Sequence, residues 1–234
     1  MSAPVSALDL LTRGEIAVKG RLPWSTNATF LVEASLAGER ALAVYKPGRG
    51  ERPLWDFPPN LYRREVAAWA LSEALGWGLV PLTVERDGPM GEGSLQLFVR
   101  ADLDHHYFTL RQDPAHRPRL ERICVFDVLA NNADRKGGHC LLDEDGVVWA
   151  IDNALTFHVA PKLRTVIWDF RGEPIPAPLL DDVARVLGSG VPGSVAALLE
   201  ADERRALLLR ARALLESGRF PEESGARSYP WPLV

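Results

Sequence analysis

Three stretches near the N-terminus, residues 15–22, 28–35 and 40–47, alternate apolar and polar positions over strand-length spans. A period of two is the mark of a half-buried strand, and the short turns between them, including Ala37-Gly38-Glu39, predict an antiparallel meander. A proline-rich loop follows, Arg52-Pro53-Leu54-Trp55-Asp56-Phe57-Pro58-Pro59. Leu61, Val66, Trp69, Ala70 and Leu75 then recur at helical spacing, with Asn60 placed to cap the helix and Gly76 and Gly78 placed to end it. Residues 79–85 and 94–100 read as two more strands around the turn Asp87-Gly88.

Beyond about residue 101 the pattern turns helical. Residues 120–129 read as a buried helix, and 139–142 with 147–151 as a hairpin around Asp143-Glu144-Asp145-Gly146. Helices are predicted again at 180–187, 195–200 and 202–215, and the proline-rich, polar tail from Arg219 reads as loosely held. The expectation is an α+β chain in two parts: residues 1–100 form a five-stranded sheet with one inserted helix, and residues 101–234 form a mainly helical half.

Bulk properties narrow the function classes. A net charge of -4 argues against a general nucleic-acid binder. No apolar run reaches the ~18 residues of a membrane span, and the N-terminus lacks the basic start and apolar core of a secretion signal, so a cytoplasmic protein without integral membrane contact is expected. Cys124 and Cys140 both sit in apolar settings and read as buried free thiols rather than a disulfide.

The chemistry concentrates in Asn131-Asn132-Ala133-Asp134-Arg135-Lys136-Gly137-Gly138-His139, followed by Ala150-Ile151-Asp152-Asn153. Acids beside bases on a loop that glycine lets bend are suited to holding a metal ion and a phosphate together, and Asp152 closes an apolar strand that would fix its position. These residues read as the centre of a phosphoryl-transfer enzyme.

With a sheet, an inserted helix and then a helical half around that motif, the chain resembles the protein-kinase-like superfamily. It looks closest to the phosphatidylinositol 3- and 4-kinase branch, and to small actinobacterial proteins related to it. The resemblance implies a bilobal protein-kinase-like fold, with the sheet and its helix as N-lobe and the helical half as C-lobe. It implies that Lys46, ending the third strand, pairs with the nucleotide's inner phosphates, and that Glu65 on the following helix holds it as an ion pair. The turn with Ser25, Thr26 and Asn27 would offer donors to the phosphates, or be a plain polar hairpin turn. Gln96-Leu97-Phe98-Val99 would connect the lobes, its backbone receiving the adenine edge.

Asp134 aligns with the catalytic aspartate of the lipid-kinase Asp-Arg-His motif, which orients the attacking hydroxyl and accepts its proton. Arg135 follows as in that motif. Lys136 replaces its histidine, and a lysine there offsets charge on the moving phosphoryl group. Asp152 corresponds to the metal-binding aspartate of Asp-Phe-Gly, but Asn153 and Ala154 follow it; Asn153 would supply an extra oxygen ligand or a left-handed backbone. His139 stands where kinases place a metal-binding asparagine, and reads either as a metal ligand favouring manganese or as a structural histidine.

The function expected is an ATP-dependent kinase using Mg2+ or Mn2+, with a small-molecule or protein hydroxyl as acceptor. A nucleotide-binding pseudokinase scaffold and a metal-dependent phosphohydrolase are the alternatives. Nothing in the sequence fixes the acceptor or the oligomeric state.

Overall fold

The computed structural model describes residues 5–23, 27–223 and 228–234. Ser25 and Thr26 lie outside the described residues. The meander forms as expected, as β1 (Glu15–Arg21), β2 (Phe30–Leu36) and β3 (Glu39–Pro47). With β4 (Thr83–Gly88) and β5 (Gly91–Leu97) they make a five-stranded sheet of order β1-β2-β3-β5-β4. The β4–β5 strands turn at Pro89-Met90, later than the expected Asp87-Gly88, because Gly88 pairs with Gly91 across the hairpin. β5 runs close under β3: a Cβ at Gly93 would lie 2.4 Å from the Lys46 carbonyl oxygen, so glycine is required where the sheet carries Lys46.

A helix absent from the sequence expectation, α1 (Ala7–Arg13), precedes the sheet. Ser6 caps it by accepting the Asp9 amide at 3.0 Å, and Leu11 joins Val32, Ala34, Ala43, Tyr45, Val84 and Leu95 in the N-lobe core. Seven residues are too short for a clear helical period.

The inserted helix α2 (Tyr62–Ala74) begins as expected but without an Asn60 cap. Asn60 adopts a left-handed backbone (φ 64), and Glu51 from the preceding loop instead accepts the Leu61 and Tyr62 amides at 2.9 and 2.7 Å. Gly76 (φ 72) then turns the chain away. The polar arginines of α2 do not mark a solvated face. Arg64 is buried, ion-paired with Glu203 and donating to the Thr156 carbonyl at 3.0 Å, and Arg63 reaches the Ala197 carbonyl at 3.0 Å.

The C-lobe holds β6 (Ala101–Asp102), α3 (Tyr107–Leu110), α4 (Arg117–Ala130), β7 (Cys140–Asp143) and β8 (Val148–Ala150), then α5 (Ala177–Leu187), α6 (Gly193–Ala196) and α7 (Ala201–Ser217). Its core is the larger one, and Ala67, Ala70 and Leu71 of α2, with Leu75 just after it, belong to it. Cys124 and Cys140 are free and buried there; burial pushes both thiols up, Cys140 to about 12, which leaves them unreactive. No helix among the described residues is long and apolar enough to cross a membrane.

The tail is tied down, contrary to the expectation from its composition. The Ser228 carbonyl accepts the Thr165 amide at 3.0 Å and the Trp168 indole N–H at 3.2 Å, and the Leu233 carbonyl accepts the Gly137 amide at 2.7 Å. Backbone bonds to the loops hold it together with Phe220, buried in the C-lobe core, and composition does not reveal such bonds.

The chain between α2 and β4 depends on Ser72. Its hydroxyl oxygen, fully buried, accepts the Leu79 amide at 2.7 Å and the Val80 amide at 3.3 Å. Ser72→Ala leaves two buried donors unpaired and should cost about 1–3 kcal/mol of unfolding free energy in a urea titration.

Candidate active site

The C-terminal end of α4 sets the position of the loop that carries Asp134. Asn131 takes a left-handed backbone (φ 52) at the helix end, and its side chain holds the 158–162 segment by donating to the His158 and Ala160 carbonyls and accepting the Lys162 amide. Asn132, fully buried, donates to Asp127 at 3.0 Å and accepts the Asp134 amide at 2.9 Å.

Arg135 is the hub. Its side chain is fully buried, and its guanidinium donates to both Asp127 oxygens, to the Ile151 carbonyl at 2.8 Å and to Asn153 Oδ1 at 2.7 Å. Burial works against the cation, and Asp127 outweighs it, so the pKa of Arg135 stands above its ordinary value. One side chain thus fastens α4, the catalytic loop and the end of β8 together. Asp127, on α4, is its counter-ion.

Asp152 follows directly in the left-handed region (φ 55). The special backbone is therefore at Asp152 and not at Asn153, and Asn153 is buried with its oxygen taken by Arg135, which removes it as a metal ligand. The Asn153 amide donates to Glu65 Oε2 at 2.9 Å, while Glu65 Oε1 receives Lys46. Lys46 also donates to Asp152 Oδ1 at 2.8 Å. Lys46, Glu65 and Asp152, each from a different element, meet at one point between the lobes.

The electrostatics follow from this crowding. Burial opposes the Lys46 ammonium, but Asp152 and Glu65 outweigh it and hold its pKa above the ordinary value. Lys46 holds the Asp152 carboxyl well below the usual range, against burial. Asp152 keeps 46% of its side chain open to the cleft. Asp134 lies 3.4 Å from Lys136, and burial pushes its carboxyl up to about 6, with Lys136 opposing. His139 is pushed down to about 4 by burial, against Asp152, so its ring is neutral at neutral pH. Its Nδ1 receives the Lys136 amide at 3.4 Å, which puts the ring proton on Nε2, the nitrogen facing Asp152 Oδ2 at 3.4 Å.

A cleft of about 380 Å³ collects these groups. Lys46, Asp134, Lys136, His139 and Asp152 line its polar end, and Leu22, Val44, Leu97, Phe98, Leu141 and Ile151 make an apolar slot. Asn27 and Gln96 also line it; Glu65 stands behind Lys46. The Asn27 carboxamide oxygen accepts the Arg52 amide at 3.0 Å, so its amide nitrogen is the group left for a ligand. In the connector, the Leu97 and Phe98 amides are already bound to the Leu82 and Leu42 carbonyls at 2.8 and 3.0 Å. Among the described residues the Val99 amide is the connector donor without a backbone partner, and so the one left for an adenine edge.

A divalent ion fits the polar end. Asp152 offers a hard oxygen open to the cleft; His139 Nε2 beside it would become a second donor only with the ring proton moved to Nδ1, which gives up the Lys136 amide. Among the described residues no group of three or more such donors gathers at one place. A pair of donors suits an ion that takes its other ligands from phosphate oxygens and water.

Sequence reasoning missed Asn132, the hub role of Arg135 and the Asn153 amide. Asp127 and Arg135, flanking a helix end inside an apolar run, were the available signal for the first two; a main-chain donor such as Asn153 N–H leaves none. Asp169, given no specific role, braces α3 by accepting from the Tyr107 hydroxyl and from Arg111 at 2.9 Å.

No family model matches the chain. Protein Rv2133c of Mycobacterium tuberculosis (strain ATCC 25618 / H37Rv) is 41% identical over 264 aligned positions, covering 95% of this chain and 94% of that protein. Among solved structures, hydra Fam20 with sugar superposes with a TM-score of 0.58 at 17% identity, over 90% of this chain and 86% of that one. The Helicobacter pylori proinflammatory kinase CtkA superposes with a TM-score of 0.53 at 12% identity, over 90% and 94%. The fold is of the protein-kinase-like, bilobal α+β kind.

Asp127→Asn removes the counter-ion of a fully buried guanidinium. It should lower the unfolding free energy by about 3–5 kcal/mol, measured by denaturant titration.

Proposed function

We propose that this chain, which belongs to the same family as the M. tuberculosis protein Rv2133c, is an ATP-dependent phosphotransferase with a hydroxyl group as acceptor. The observation that carries the reading is the convergence of Lys46, Asp134 and Asp152, distant in sequence, on one cleft with an apolar slot beside a charged end. The protein-kinase-like fold supports it.

The slot takes the flat adenine ring, and Lys46, kept extended by Glu65, pairs with the inner phosphates. Asp152 and His139 would hold Mg2+ or Mn2+, which when bound neutralises charge on the phosphate oxygens. Asp134 orients the acceptor hydroxyl and takes its proton as the oxygen bonds to the γ-phosphorus and ADP departs. Lys136 offsets the charge on the moving group. The acceptor is a small molecule or a protein; the phosphatidylinositol-kinase resemblance reaches only Asp134 and Arg135 of that motif and does not name it.

Asp134→Asn and Asp152→Ala should each lower metal-dependent release of the γ-phosphate of ATP by at least ~100-fold while the melting temperature stays near the parent's. Undiminished turnover in either variant sinks the assignment.

The raised Asp134 pKa has a second outcome. A protonated carboxyl cannot accept the hydroxyl proton, so turnover should climb with pH through about 6 and level off above it. A pH–rate profile checks this; a limb near the ordinary aspartate value of about 3.9 would point to another base.

A further inference from the structure

Gln96 closes the inner end of the cleft from β5, where it lies between Val44 of β3 and Thr83 of β4. It is 7% exposed, and a relay of hydrogen bonds fixes which way its carboxamide points. The relay begins at the Pro81 carbonyl, which can only accept. The Thr83 hydroxyl, 2.7 Å away, therefore donates its one proton there. Thr83 Oγ1 is left with lone pairs alone, so the Gln96 atom 2.9 Å from it must be the amide nitrogen.

The Gln96 carboxamide oxygen consequently faces away from Thr83. No donor among the described residues reaches it. It is also not sealed off: among the described residues the buried side-chain atoms without a partner are Arg63 Nε, Arg122 Nε and Arg210 Nη2. The oxygen keeps contact with solvent, and the cleft that Gln96 lines is what supplies it. The Leu97 and Phe98 amides beside it are bound to carbonyls of the sheet and so offer no donor to a 6-oxo group.

We propose that Gln96, locked by Thr83, is a specificity-determining residue that selects purines bearing a 6-amino group over purines bearing a 6-oxo group. The inference rests on the nucleotide reading of the cleft. An exocyclic amine donates to Oε1. A 6-oxo group would set two acceptors against each other with both cut off from water, and the lock prevents the carboxamide from turning its nitrogen forward.

The test is binding of ATP, GTP and ITP, each measured by displacement of trinitrophenyl-ATP. The parent should bind ATP at least about tenfold more tightly than ITP or GTP, the discrimination expected from one buried unpaired acceptor. Thr83→Val keeps the shape but removes the lock, so the carboxamide can turn and the ATP-to-ITP ratio should fall towards one. Gln96→Leu should lose the ratio as well. Equal affinities for ATP and ITP in the parent, or an unchanged ratio in both variants, overturns the role of Gln96 and leaves the nucleotide reading standing. Failure of all three nucleotides to bind overturns both.

Discussion

A guanidinium with no access to water is a large liability for a fold, and this one is built around satisfying it. Arg135 is charged and fully enclosed, and a desolvated ion is tolerated only when counter-charge and acceptors surround it. Asp127 supplies the charge from α4, and the Ile151 carbonyl and Asn153 oxygen supply the rest from the end of β8. Each of those groups is thereby held where the cation needs it. Asp134 and Asp152 inherit their places from this arrangement: Asp134 is the residue immediately before Arg135 in the chain, and the strand end carrying Asp152 is gripped on both sides of it.

From that base the two lobes are joined through charge as well as through the apolar residues that α2 lends to the C-lobe core. Glu65 uses both carboxylate oxygens, one for Lys46 and one for the Asn153 amide, while Lys46 spans to Asp152. The result is a closed circuit of sheet, helix and loop. A change in any one member alters the electrostatics of the others, and the depressed Asp152 and elevated Lys46 pKa values are two views of the same contact. Asp134 makes no ion pair within the circuit; burial, aided by the Asp152 charge, outweighs Lys136 and Arg135, which is why its carboxyl is raised.

Much of this was legible in the sequence, for reasons that differ by element. The alternation in β1 to β3 and the helical spacing of α2 record one buried face each, so they could be read directly. The acids and bases of the catalytic loop stood out because such groups rarely sit between apolar runs without a task. What was not legible was partnership. Asn60 looked like a cap, yet Glu51 does that job from ten residues away. Arginine is most often a surface residue, yet Arg64 is buried against a glutamate in the last helix. The tail looked free, yet its carbonyls bind Gly137 and Thr165. Local composition cannot register a partner that is supplied by tertiary structure.

The ion pair between Arg64 and Glu203 joins positions separated by 139 residues. Its consequence concerns the birth of the molecule. A ribosome delivers Lys46, Glu65 and Arg64 long before it delivers α7, and domains dominated by such distant pairings fold late and slowly. The helix that presents Glu65 therefore goes without this anchor through most of synthesis, and gains it only when the final helix arrives.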